Sequence, residues 1–175
     1  MEIIAGRGSS QVRTAQIARE LHCSESTLYK IAPSKDSLIV LAIGRRGELA
    51  LEALEARALK AARASDRARE YFRAGARATH SLSLDFSADI ARFESTRLAW
   101  RTTVVDPYID RFVELVQAAE DAGEIRQVNV RFLGEVLRGI GFVTRDERVL
   151  NASGLTSEQA VLEVDSLVWD GLRAP

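Results

Sequence analysis

The sequence predicts an all-α protein. Only three of its 175 residues are proline, strong helix formers such as Ala, Leu, Glu and Arg are abundant, and apolar residues recur at i, i+3, i+4 and i+7 over most of the chain. A hydrophobic share of 46% is enough to bury a core, so a folded chain is expected. No apolar run reaches the ~18 residues of a membrane span, and the opening MEIIAGRGSS lacks the layout of a signal peptide. A cytoplasmic protein is expected. The single cysteine, Cys23, makes no internal disulfide, and one thiol beside two histidines is too few for a four-ligand zinc site, so neither metal nor cofactor is expected.

Helix punctuation gives the elements in order. A short helix is expected from Thr14 to about Leu21 and, after the turn His22-Cys23-Ser24, another from Glu25 to Ile31 capped by Ser24. Pro33 stops the chain, and Ser34 caps a long helix through Leu38, Leu41 and Leu49 that reaches Arg63. Ser65-Asp66 restarts it with Ala68, Phe72, Ala76 and Thr79 on one face, and Ser87 caps the next, which carries Ile90, Phe93 and Leu98 to about Arg101. Asp106 as N-cap, Pro107 at the first helical position and Gly123 past the end bound a helix with Ile109, Phe112, Val116 and Ala119 on its apolar face. From Val128 to Arg145 there are two stripes: Val130, Leu133, Leu137 and Ile140, then Phe132, Val136, Gly139 and Val143. A helix apolar on two faces needs two partners. The last helix opens on the capping box Thr156 to Gln159, with Leu155 as staple to Ala160, and runs through Val164, Leu167 and Val168.

Residues Val12 to Leu38 satisfy the demands of a helix-turn-helix. Ile17, Ala18 and Leu21 form the inner face of the first helix, and Leu28 and Ile31 that of the second. Glu25, Ser26, Thr27, Tyr29 and Lys30 are left outward, where a short helix can reach base edges or phosphates. Lys35 adds charge at the next helix's N-terminus. Although the net charge is -1, residues 1–46 hold seven basic side chains against four acidic ones.

The pair Ile17-Ala18, the trio Thr27-Leu28-Tyr29 and Ser34-Lys35 before an apolar helix stand in the order and spacing of TetR-family regulators, which this chain resembles over about a quarter of its length. The resemblance implies a DNA-binding domain over 1–45 and a helical effector-binding and dimerisation domain over 46–175. It implies that Thr27, Tyr29 and Lys35 hold phosphates, with Glu25, Ser26 and Lys30 nearer the bases. His22 stands where the family has glycine, which requires it to adopt a left-handed or bridging conformation. Met1 to Arg7 match only the tail of the family's first helix. The inner faces of Ile17, Leu21, Leu38 and Ile39 are then expected to be uncovered, and an upstream extension to strengthen operator binding.

The expected protein is a homodimer on a palindromic double-stranded operator, responsive to a small-molecule effector, with repression the family's usual outcome; a dimeric small-molecule-binding protein that has lost DNA binding is the alternative. Gly134, Leu137, Ile140, Gly141, Val164 and Leu167 are expected at the dimer interface. Phe93, Leu98, Trp100, Tyr108, Phe112 and Trp169 are expected to line the effector pocket, although a packed core would use the same residues. His80 and the arginine series from Arg57 to Arg77 are read as core and solvated face respectively. No nucleophile elbow, phosphate loop or metal-ligand pair is present, so no enzyme is expected.

Overall fold

The computed structural model describes residues 13–80, 90, 92–144 and 146–173, and every regular element among them is helical. The expectations for Met1 to Gly8, for the Ser87 cap and for the side chains of Thr79 and His80 lie outside the described residues. The helices are α1 (Thr14–Glu20), α2 (Glu25–Ile31), α3 (Lys35–Ala58), α4 (Ala64–His80), α5 (Glu94–Trp100), α6 (Asp106–Asp121), α7 (Val130–Val143), α8 (Glu147–Ser153) and α9 (Ser157–Leu172), with a π-helical turn over Arg101–Val105. The chain forms two compact units, one of residues 1–50 with 81–104 and the other of 51–80 with 105–175. This differs from a division at 45/46, because a mid-chain segment packs with the N-terminal helices.

In the first unit Ile39 and Ile43 of α3 are buried together with Ile90, and Ile17, Ala42, Trp100 and Val104 pack around them. Ile39 is only 3% exposed. The expected uncovering is therefore corrected for Ile17 and Ile39, which Ile90, Trp100 and Val104 cover; Leu38 is half-buried, and Leu21, at 58% exposed, is uncovered as expected. Gly47 permits the close approach, since a Cβ there would lie 2.7 Å from Val104 Cγ2 and 2.9 Å from the Thr103 carbonyl oxygen.

Asp106 is the first residue of α6 but not its N-cap. The backbone passes from α5 through the π-turn directly into α6, and Val105 before it is already in helical conformation. Pro107 explains the arrangement: it has no N–H to give and would clash with the carbonyl four residues back, and the wider π-turn accommodates both. Asp106 instead accepts a hydrogen bond from Arg138 Nε at 3.1 Å.

The second unit is built around Phe112, Val116 and Ala119 of α6, all fully buried, with Ala68, Tyr71 and Phe72 of α4, Leu137 of α7, and Trp169 and Leu172 of α9. Tyr71 stacks on Tyr108 at 5.2 Å, and Tyr108 Oη donates to the Phe72 carbonyl at 3.0 Å. Burial pushes the Tyr71 phenol up to about 12, so it stays neutral. Helix ends follow the expected chemistry. Gly123, at φ 67°, closes α6 as Glu124 N–H reaches the Ala119 carbonyl at 3.0 Å, and Thr156 and Gln159 make the capping box of α9. α8 was not anticipated, though Asp146 as N-cap and Gly154 in the left-handed region bound it.

Arginines tie the helices together. Arg73 of α4 grips one Asp165 oxygen of α9 through Nε at 3.0 Å and Nη2 at 2.7 Å, and Arg111 of α6 holds Glu55 of α3. The hydrogen bonds from Arg111 hold the Glu55 carboxyl below its ordinary value of 4.5. Its stabilisation is thus complete above about 4.5 and is lost as pH falls through the lower folded value. Arg57 and Arg77 pair with Glu70, and Arg63 faces Glu124 at 3.6 Å, which accords with the reading of this series as structural and solvated. Replacing Arg73 with Ala removes both short hydrogen bonds to Asp165, whose side chain is 5% exposed, and leaves it only the Arg69 guanidinium at 3.7 Å, so the change is expected to cost about 3 kcal/mol in urea unfolding. Arg57→Ala, acting on an exposed pair, is expected to cost under ~1 kcal/mol.

Candidate nucleic-acid interface

The helix-turn-helix is held by very few side chains. Ala18 of α1 and Leu28 of α2 are 4% and 1% exposed, with Ala32 beyond the end of α2 at 2%. Leu21 and Ile31, expected inward, are 58% and 64% exposed. The reason is helical phase: Ala32, one turn after Leu28, takes the inner column that Ile31 misses by about 60°, and Leu21 is already the C-cap of α1.

The turn between the helices is a Schellman motif. Cys23 N–H reaches back to the Ala18 carbonyl at 2.9 Å and His22 N–H to that of Arg19 at 3.2 Å, which places His22 at φ 51°. That is the left-handed conformation its position demands. Gly123 closes α6 with the same bonding at the cost of no Cβ, whereas His22 carries a side chain through it.

Ser24 caps α2 by accepting from Thr27 N–H at 3.2 Å, and its hydroxyl lies 2.7 Å from Ser26 Oγ and 2.9 Å from Thr27 Oγ1. A hydroxyl that accepts from Ser24 keeps its own proton for another acceptor, such as a phosphate oxygen. Glu25, Ser26, Thr27, Tyr29 and Lys30 are all exposed, Tyr29 by 47%. Lys35 is half-buried at the first turn of α3, where Ser34 caps by accepting from Ser37 N–H at 3.1 Å. All six expected DNA-contacting residues therefore sit at or beside α2 in one unit.

The six expected pocket residues fall in different units. Phe93, Leu98 and Trp100 belong to the first unit, the first two 43% and 59% exposed, and Tyr108, Phe112 and Trp169 to the second. Phe112 packs edge-on against Trp169 at 6.4 Å in a closed core. Sequence reasoning missed the polar atoms beside that core. Arg69 Nε, Asp165 Oδ1 and Trp169 Nε1 are buried without hydrogen-bond partners, and the Arg69 guanidinium lies over the Trp169 ring at 5.9 Å. The signal was the i, i+4 spacing of Asp165 and Trp169 on an otherwise apolar face.

The expected interface residues also divide. Gly134 and Leu137 face α6 and the core, a Cβ on Gly134 meeting Val113 at 3.0 Å, and Ile140 and Val164 pack against the same core. Leu167, at 74% exposed, and Gly141 remain outward. The outward apolar face of α7 is the second stripe: Phe132, Val136 and Val143 are 68%, 38% and 47% exposed. Arg138, one turn from Gly134, decides which stripe goes in, because it pairs with Asp106 and Asp110 of α6 and turns its column toward that helix.

A helix-turn-helix joined to a helical bundle defines the fold as that of TetR-family transcriptional regulators, and solved structures share it across nearly the whole chain. A Thermus thermophilus TetR-family regulator, PfmR, is 20% identical, with 99% of this chain and 96% of that one covered and a TM-score of 0.62. A Saccharomonospora viridis protein described as a candidate transcriptional regulator, in complex with choline, is 20% identical over 99% and 93% of the two chains at a TM-score of 0.73. AibR, in complex with isovaleryl coenzyme A and operator DNA, is 19% identical over 95% and 91% at a TM-score of 0.55. At these identities the likeness establishes the fold. No protein-family model and no curated protein matches the sequence.

The strain at His22 is measurable. His22→Gly is expected to leave stability unchanged or raise it by up to ~1 kcal/mol, while His22→Val, β-branched in a left-handed position, is expected to cost about 1–2 kcal/mol. Thermal unfolding followed by circular dichroism compares the two.

Proposed function

We propose that the protein is a ligand-responsive transcriptional regulator that binds a palindromic operator as a homodimer through α2, with repression as its outcome. The observation that carries this is the arrangement of α2. Its one buried side chain, Leu28, docks it, while Glu25, Ser26, Thr27, Tyr29 and Lys30 stand free and Lys35 adds charge beside them. Thr27, Tyr29 and Lys35 are assigned to phosphates, and Glu25, Ser26 and Lys30 to the major-groove edges. The helix is short, so its contacts suffice only when two copies engage successive half-sites.

The dimer is assigned to the outward faces of α7 and α9, with Phe132, Val136 and Val143 on the first and Leu162 and Leu167 on the second. Five exposed large apolar residues on two helices are what an association surface supplies and a monomer's surface avoids. The effector is assigned to the second unit, beside the unpartnered buried atoms of Arg69, Asp165 and Trp169, which a polar group on a small molecule can engage. The choline and isovaleryl coenzyme A complexes show that this fold accommodates small molecules. Among the described residues no helix is long and apolar enough to cross a membrane, and no His, Cys, Asp and Glu cluster offers a metal site.

Anisotropy titrations on the protein's own promoter region test the DNA reading: Tyr29→Ala and Lys35→Ala are each expected to weaken binding about tenfold, with Lys35→Ala lowering the salt slope by ~0.9. Unchanged binding in both variants would reject the assignment to α2. For the dimer, Phe132→Glu with Leu167→Glu is expected to give a folded monomer in light scattering, and a folded dimer would reject these faces.

A further inference from the structure

Charge separates between the two units in a way the linear sequence hides. Among the described residues the first unit holds nine Arg and Lys against five Asp and Glu, and the second thirteen against seventeen. Residues 92–104 contribute Arg92, Arg97 and Arg101 to the first unit and only Glu94 against them. By the full sequence residues 81–104 also carry Asp85 and Asp89, so the segment adds exposed arginines without net charge, and the unit's positive excess of two comes from residues 1–50.

Its placement follows from packing. Ile90 is buried with Ile39 and Ile43, while Thr103 and Val104 approach Gly47, so the segment runs parallel to α3 with its early residues nearest the N-terminus of that helix. Ile39 and Ile43 lie one to two turns beyond Lys35, a distance of about 6–12 Å along the axis. Thr96 and Ala99 take the buried side of α5, which leaves Arg92 and Arg97 exposed. Neither makes an ion pair with a described residue, in contrast to Arg57, Arg63, Arg73 and Arg77 of the second unit. Arg92 also lies over the Phe93 ring at 5.6 Å, which holds an exposed guanidinium in place.

We infer that Arg92 and Arg97 form a second phosphate-contacting surface, which grips the DNA backbone flanking the site read by α2. The inference rests on the proposed DNA binding through α2 and adds a contact that the helix-turn-helix does not contain. Exposed arginines without an ion-pair partner among the described residues, in the unit that also holds α2 and Lys35, suit the sequence-independent part of duplex binding, in which each phosphate neutralised releases counterions.

The experiment is an anisotropy titration of the full chain on a labelled random-sequence duplex of about 30 base pairs over a range of salt, since non-specific binding already reports phosphate contacts. Arg92→Ala with Arg97→Ala is expected to lower the slope of log K against log salt by about 1.8 per protomer. Lys60→Ala with Arg131→Ala, which removes two exposed charges from the second unit, is expected to leave the slope unchanged. Circular dichroism confirms that both variants fold. An unchanged slope in the Arg92 and Arg97 variant, with wild type binding in a salt-dependent way and Tyr29→Ala weakening it, overturns this inference alone. Equal losses in the two double variants also overturn it, because net charge rather than position would then be responsible. Wild type that fails to bind duplex overturns the DNA reading and this inference together.

Discussion

Burial of Ile39 and Ile43 under Ile90 is the contact on which the unit that holds the helix-turn-helix depends. A helix-turn-helix has too little apolar surface to stabilise itself: α1 and α2 bury only Ala18 and Leu28 outright. Beside them the long α3 buries Ile39 and Ile43, against which Ile17 of α1 packs, and α3 is anchored by a covering that the chain supplies more than forty residues later. The glycine notch at Gly47 sets how closely that covering approaches.

The path from α5 into α6 shows how a local rule yields to its surroundings. Asp106 followed by Pro107 has the form of a helix start, yet the chain is already helical there. A π-turn removes the conflict between proline and a continuing helix, and the Asp106 side chain is free to meet Arg138. That ion pair then orients α7. Because α7 has two apolar stripes, its orientation decides which residues become core and which stay exposed. The polar cluster at Arg73 and Asp165 performs a similar task for α9. A buried carboxylate is tolerated only where its partner reaches it, so the helix has one favourable rotation against α4.

Much was legible in the sequence, wherever the cause lies within a few residues. The helical class, the caps Ser24, Ser34 and Thr156, the left-handed His22 and Gly123, and the exposed side chains of α2 follow from backbone stereochemistry and local hydrogen bonding. The docking of α2 through Leu28 follows from periodicity. α8 was also within reach, since Asp146 and Gly154 bound it, but seven residues with little apolar periodicity gave a weak signal.

The tertiary structure alone decided the questions of partnership. Periodicity shows that a face is apolar, but not which surface covers it, so the two stripes of α7 read alike until Arg138 met Asp106 and Asp110. Aromatic residues also do not declare their unit, and Phe93 and Phe112, nineteen positions apart, belong to different ones. Formal charge is equally local: Arg73 and Arg97 are identical as letters, but one is consumed by a buried carboxylate and the other stays in solvent. Helix form is set by neighbours along the chain, whereas burial and pairing are set by neighbours in space, and only folding brings residues 90–104 onto α3.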